Sequence, residues 1–181
     1  MQVRAAQLGV GVALAALCAC QPPDPGAAPP ARYFLEGSLT QLMSLGYDEA
    51  RIEGTGQDVA VTFVRKRGSN ATLPDGGDPG TSEDYPLKVV YRYEDNDGGI
   101  PANATVDLAE VYQGAQRGGI SRNVLNDPRK NFPDILRGEL FFDRFPAAGE
   151  NVHGNFHVTF VNGIEEACGH TVYGDFTAKV Q

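Results

Sequence analysis

The feature that most constrains the fold of this chain is a series of short segments in which inward and outward positions alternate. The clearest are 58–65, 87–93, 155–161 and 171–180, and Gly, Pro, Asn and Asp separate them. Such alternation is typical of strands, and no segment keeps a helical period over twelve residues. The pattern predicts an all-β fold, an antiparallel β-sandwich of about eight or nine short strands. A small β-barrel is the alternative.

The same alternation predicts which side chains face the core. Val59, Val61 and Phe63 share one face of their segment, although the opposite face is also fairly apolar. In segment 136–145, Phe141 lies on the face opposite Leu140. Gly174 interrupts the last strand, which suits a bulge or a close backbone approach. Further strand candidates are 33–39, 50–53, 104–112 and 119–124.

Helical patterns compete only locally. Leu35, Leu39, Leu42 and Met43 have helical spacing, and Ser38 could begin and Gly46 end such a helix. Gly37 and the adjacent aromatic residues suit a strand equally well, so both interpretations stay open. Asp127 followed by Pro128 predicts a short helical turn over 127–131.

The first 19 residues have the layout of a targeting segment. Arg4 precedes an apolar run over 8–17, which is too short for a bilayer core that needs roughly 20 residues. Leu17, Cys18, Ala19 and Cys20 follow. This junction resembles the lipobox of bacterial lipoproteins of the Gram-negative type, and an ordinary secretory signal is the alternative.

The resemblance implies cleavage before Cys20 and attachment of lipid to that residue. Gln21 then favours the outer membrane of the cell envelope, on its periplasmic face or at the cell surface. Residues 20–31 include five prolines and are expected to form a tether. Residues 32–181 are expected to form a single β-sandwich domain.

Charge and cysteine content narrow the possible partners. Arg4 is the only charged residue within 1–19, so its removal leaves 14 basic and 23 acidic side chains, a net charge of −9. This balance disfavours nucleic acid as a partner. Cys168 would be the only cysteine besides Cys20, which excludes an intramolecular disulfide in the domain.

Metal-ligating residue types cluster near the C-terminus. The three histidines are His153, His157 and His170, and Cys168 lies two residues before the last of them. Along a strand, residues four apart are separated by about 13 Å and residues two apart by about 6.6 Å. Cys168, His170 and His157 are therefore metal candidates only if turns bring them together, and no metal or cofactor is expected.

Basic residues concentrate within 28 positions of an otherwise acidic chain. They could bind carboxylates, phosphates or acidic glycans. Ion pairing within the region is the favoured alternative, with Asp127, Asp134, Glu139 and Asp143. The basic residues are Arg117, Arg122, Arg129, Lys130, Arg137 and Arg144.

Two turn-rich loops, 66–86 and 94–99, complete the candidates. The second is rich in side-chain oxygens and glycines, which calcium prefers, but its spacing fits a hairpin turn better than an EF-hand. No Gly-x-Ser-x-Gly motif occurs. The sequence favours a lipid-anchored, non-enzymatic binding or structural module that contacts another envelope protein or a glycan. The alternative is a small-molecule, glycan or metal-binding module, or a hydrolase, using loop 66–86 or the Cys168/His170 region.

Overall fold

A computed structural model of the protein describes residues 33–55, 58–67, 83–93 and 103–181. The predicted targeting segment, Cys20 and the tether lie outside these residues. So do the loop 94–99 and positions 68–82 of the loop 66–86. The ends of that loop are described, and they belong largely to the flanking strands.

The described residues form twelve strands and one short 3-10 helix. Three of the strands reach ten residues. The last of them spans the predicted 171–180, whereas the other two begin four residues before the predicted segments 87–93 and 155–161, because pairing continues into the turn-rich flanks. The strands are β1 Tyr33–Phe34, β2 Gly46–Tyr47, β3 Glu49–Thr55, β4 Asp58–Lys66, β5 Glu83–Arg92, β6 Ala104–Asp107, β7 Val111–Tyr112, β8 Ala115–Gln116, β9 Gly118–Asn123, β10 Ile135–Phe142, β11 Asn151–Phe160 and β12 Thr171–Val180, and the helix η1 is Ser38–Gln41.

Eight of these strands form one sheet in the order β6-β10-β11-β12-β3-β4-β5-β9. All neighbours are antiparallel except β12 and β3, which pair in parallel over Ala178–Val180 and Ala50–Ile52. The short pairs β1-β2 and β7-β8 stand beside this sheet. The parallel pair joins the two halves of the sheet, which are β6, β10, β11 and β12 on one side and β3, β4, β5 and β9 on the other.

The sheet folds over so that its two halves face each other. Phe63 of β4 and Phe156 of β11 have ring centroids 5.6 Å apart. Three strand spacings separate β4 from β11, about 14 Å in a flat sheet. Only strong curvature brings these rings together, and the core then lies between the two halves. The predicted all-β sandwich is confirmed, with one parallel pair in an otherwise antiparallel sheet.

Side-chain burial follows the predicted alternation. In β12, Val172, Phe176 and Ala178 are buried, whereas their neighbours Tyr173 and Lys179 are exposed. In β4 every residue from 59 to 64 is buried, as its apolar faces predict. The exposed face of the other strands is therefore the face available to a ligand.

Two glycines sit where a neighbouring group packs closely. Gly174 pairs with Phe156 without a register shift, so the predicted bulge is absent, and a Cβ there would lie 2.7 Å from the Leu35 side-chain atom Cδ2. A Cβ on Gly118 would overlap the Leu108 carbonyl oxygen, to which the Gly118 amide donates a hydrogen bond of 2.9 Å. That bond links the two ends of the sheet at one corner.

The helix predicted from Leu35 is largely wrong. Glu36 exchanges backbone hydrogen bonds with Tyr173, which holds this part of the chain extended. Gly37 then turns the chain with a φ of 111°, so only Ser38–Gln41 coils, and Gly46 belongs to β2. The apolar residues Leu35, Leu39 and Met43 are nevertheless buried.

The helical turn predicted over 127–131 is also wrong. The Arg122 amide donates to the Lys130 carbonyl, and Ser121 forms a bridge with Asn131. These contacts hold the segment extended beside β9. Tertiary pairing thus replaces the local helical preference of an Asp-Pro start.

Candidate functional site

An open groove of about 760 Å³ lies where β10, β11, β12 and β3 run side by side. Outward-pointing side chains of these strands line much of it, because their inward neighbours fill the core. The start of the described chain, at Tyr33, also lines it. It therefore combines strands from the first and last parts of the chain.

One cross-strand row runs through this groove. Phe141 of β10 is paired with Asn155 of β11, and Asn155 is paired with Asp175 of β12. Asn155 and Asp175 are exposed, and Phe141 is half-buried. Partners in adjacent antiparallel strands have Cβ atoms about 5 Å apart. An aromatic ring, an amide and a carboxylate thus stand next to one another on a rigid sheet.

The histidine in the groove is held in place by its neighbours. His153 Nδ1 lies 2.8 Å from the Thr177 hydroxyl, and the His153 amide donates to Asp143 Oδ1 at 3.0 Å. With Nδ1 engaged, Nε2 is the ring nitrogen left to contact a ligand. This preorganisation reduces the entropy lost on binding.

Arg51 is fixed even more firmly. Its guanidinium donates to both carboxylate oxygens of Glu83, at 2.9 and 2.7 Å, and its Nε donates to Glu49 at 2.6 Å. Hydrogen bonds from Lys66, and then from Arg51, lower the pKa of the Glu49 carboxyl. Glu49 is therefore ionised near neutral pH and unsuited to act as a general acid.

Two tyrosines line the groove beside β12. The rings of Tyr33 and Tyr47 are 5.5 Å apart, and Tyr47 packs edge-on against Phe63 in the core. Tyr33 is 55 % exposed, whereas Tyr47 is buried. Burial raises the pKa of the Tyr47 phenol, and nearby Tyr33 and Asp175 raise it further. Tyr47 thus stays neutral, and Tyr33 presents its ring to solvent.

The predicted metal candidates do not converge. His157 is exposed on β11 with its ring centroid 6.0 Å from that of Tyr173, whereas His170 Nδ1 lies 3.2 Å from the Ser38 hydroxyl. Cys168 is a free, half-buried thiol in the turn before β12. Across the described residues, no group of three His, Cys, Asp or Glu side chains could hold a metal ion.

The Ser38–His170 contact is structural in character. The Ser38 hydroxyl also accepts from the Thr171 amide at 3.0 Å, and it lies 3.4 Å from Thr171 Oγ1. These bonds fasten η1 to the start of β12. No hydrogen bond or ion pair between His170 and a carboxylate is found in the described ranges, so the third member of a catalytic triad is not present there.

The predicted basic cluster is mostly paired internally. Arg122 and Arg129 both bind Asp127, at 3.0 and 2.9 Å, and Arg122 also donates to backbone carbonyls. We call these three residues the arginine corner. Hydrogen bonds from Arg129 hold the pKa of Asp127 far below its usual range. The predicted ion pairing with Asp127 is confirmed.

The remaining basic candidates also have neighbours. Lys130 donates to the Asn123 side chain at 3.1 Å. Arg117 donates to the Tyr91 hydroxyl at 3.2 Å and lies over the Tyr112 ring. Arg144 pairs with the adjacent Asp143. None of Arg117, Arg122, Arg129 and Lys130 lines the groove.

Sequence reasoning missed the groove, although one signal for it was present. Phe141 was placed on the face opposite Leu140, and an aromatic residue on an outward face marks a possible contact surface. Asn155 and Asp175 gave no such signal, because only the strand register brings them beside Phe141.

Comparisons of the chain with protein-family models, curated proteins and solved structures gave no match. In the described part of the chain, no helix has the length and apolar character needed to cross a bilayer. The function must therefore be argued from the groove and from the N-terminal sequence.

Proposed function

We propose that this protein is a lipid-anchored module of the bacterial cell envelope that binds another envelope component without chemical turnover. The observation that carries the binding role is the preorganised groove along β10, β11, β12 and β3. Its aromatic and polar side chains face outward from a rigid sheet, as in small-molecule and polymer sites that orient a ligand with a few polar groups.

The anchor is inferred from the N-terminal sequence. Leu17 to Cys20 resembles a lipobox, and several acyl chains on one cysteine would give stable membrane attachment. The tether of eleven residues after Cys20 would extend about 30 Å if polyproline-like. Tyr33 follows that segment closely and lines the groove. The tether therefore leads directly to the proposed binding face.

A binding role is favoured over catalysis by the state of the groove's charged groups. Glu49 and Arg51 are bound to each other, and Glu83 binds Arg51 through both oxygens. A carboxylate held in such a pair, as Glu49 is, stays ionised near neutral pH and is a poor general acid. The Ser38–His170 contact lies away from the groove lining and serves the fold.

The anchor is tested by replacing the acceptor thiol. Cys20→Ser should abolish incorporation of labelled fatty acid and release the protein from the membrane fraction, whereas Cys18→Ser should retain both. Membrane retention and labelling of the Cys20→Ser protein would overturn the anchor.

The groove is tested with the full chain purified in detergent. The probe is cell-envelope material of the producing bacterium, extracted with the same detergent to remove lipid. We expect Asp175→Asn and Phe141→Ala each to weaken binding at least tenfold. Leu136→Ala is the matched control, because Leu136 is an exposed apolar residue of β10 outside the groove. Unchanged binding by both groove variants, with unchanged thermal unfolding, would overturn the proposed function.

A further inference from the structure

We infer that the occupant of the groove is an uncharged polysaccharide whose sugars carry adjacent free hydroxyl groups. This inference rests on the proposed function and narrows its ligand. Three properties of the groove support it: its exposed aromatic rings, its polar groups and the state of its charges.

The rings supply flat apolar contact surface. Tyr33 is 55 % exposed at one side of the groove, and Phe141 is partly exposed on β10. Both are lining residues surrounded by polar side chains. The carbon-bound hydrogens of a sugar ring form an apolar face, which gains free energy by packing on such a ring. An acyl chain would need a continuous apolar wall, which this mixed surface does not offer.

The polar lining residues match hydroxyl groups. Asn151 and Asn155 each carry an amide that both donates and accepts. A sugar hydroxyl is likewise donor and acceptor, so it can satisfy either role at each position. The Asp175 carboxylate has two acceptor oxygens that can receive hydrogen bonds from two adjacent hydroxyls. A sugar would thus use all three neighbours: its hydroxyls would donate to the Asp175 carboxylate and bind the Asn155 amide, and its apolar face would pack on the Phe141 ring.

The charges argue against an acidic polymer. The chain has a net charge of −8, and Asp48, Glu49 and Asp175 all line the groove. Arg51 is already bound by Glu49 and Glu83, which leaves Lys179 as the other basic lining residue besides His153. Because Glu49 is paired with Arg51, and Asp48 and Asp175 are acidic, these surroundings offer no cationic clamp to a phosphate-rich or uronate-rich chain.

Periodate provides the decisive test, because it cleaves the carbon–carbon bond between two carbons that each carry a free hydroxyl group. The detergent-purified full chain is titrated against three samples of delipidated envelope material: untreated, oxidised with periodate and then reduced, and digested with protease. We expect at least tenfold weaker binding after periodate and full binding after protease. Asp175→Asn should lower binding to the untreated material at least tenfold, and Leu136→Ala should leave it unchanged.

The other outcomes separate the two proposals. Binding that depends on Asp175 and Phe141 but survives periodate would overturn the polysaccharide and leave the groove as a binding site. If protease then abolished that binding, the occupant would be a protein. Binding that ignores both groove variants would overturn the groove function together with this inference.

Discussion

The groove and the arginine corner both gather charged and polar side chains, but they differ in what those side chains contact. In the arginine corner, one carboxylate holds two guanidinium groups, and Arg122 is almost fully buried. In the groove, Asn155, Asp175 and the His153 ring face solvent from neighbouring strands. The comparison teaches that charged residues in the sequence indicate a site only where the fold directs some of them, such as Asp175, to solvent.

The largest expected effect is on the stability of the arginine corner. Asp127→Asn removes the charge that neutralises Arg122, whose side chain is 3 % exposed. Breaking a buried ion pair by removing one partner costs roughly 3–5 kcal/mol. Urea unfolding should show this loss in the free energy of unfolding, while envelope binding by the folded protein stays unchanged.

Asp143→Asn is the matched control for that substitution. Asp143 pairs with the exposed Arg144, and solvent screens that pair. Asp143→Asn should therefore lower the free energy of unfolding clearly less than Asp127→Asn does. Equal losses in the two variants would contradict the structural role assigned to the arginine corner.

The contribution of the Asp127 ion pairs to stability should also depend on pH. Because the pKa of Asp127 is lowered in the folded state, its stabilisation is complete above the unfolded value of about 3.9 and is lost as pH falls below it. We expect the free energy of unfolding to fall between about pH 5 and pH 2 by up to about 1.4 kcal/mol per pH unit for this proton. Urea unfolding at several pH values should show a shallower decline for Asp127→Asn. Parallel curves for the two proteins would refute the coupling.

A smaller effect is expected from the orientation of His153. Thr177→Val keeps the side-chain shape but removes the hydroxyl that lies 2.8 Å from His153 Nδ1. We expect about threefold weaker envelope binding, since a hydrogen bond at this level contributes about 1 kcal/mol or less. In a double-mutant cycle, Thr177→Val should have no effect once His153 is alanine. If Thr177→Val weakened binding just as much in the His153→Ala protein, Thr177 would not act through His153.

The smallest effect is expected at the exposed end of the basic cluster. Lys130→Ala removes a surface contact with Asn123 and should change the free energy of unfolding by no more than about 0.5 kcal/mol. Envelope binding by the Lys130→Ala protein should stay unchanged, whereas Asp175→Asn measured in parallel should bind at least tenfold more weakly. A tenfold loss of binding in Lys130→Ala would move the functional surface from the groove to the basic region.

Much of the fold could be predicted because strand periodicity is a local property. The faces of β4, β5, β11 and β12 followed from alternation, and so did the outward position of Phe141. Around Leu35 the sequence left a helix and a strand both open, and the choice was made by Tyr173, which pairs with Glu36 from 137 residues away. Local spacing carries no information about such a partner.

The candidate site was far less predictable than the fold. The sequence singles out His157 and His170 as metal candidates but not His153, whose ring the structure sets beside the Thr177 hydroxyl in the groove. Asn155 and Asp175 are ordinary polar residues in the sequence. They become a site only through the register that sets them beside Phe141.

By itself, the sequence determined the all-β class, the inward face of each main strand and the expectation of an anchor at Cys20. Those properties depend on residues close together in the chain, whose alternation or spacing acts directly. The tertiary structure decided the parallel pairing of β12 with β3, the pairing of charges within the arginine corner and the existence of the groove. Each of these depends on segments far apart in the chain, which only the packing of the whole sheet brings into contact.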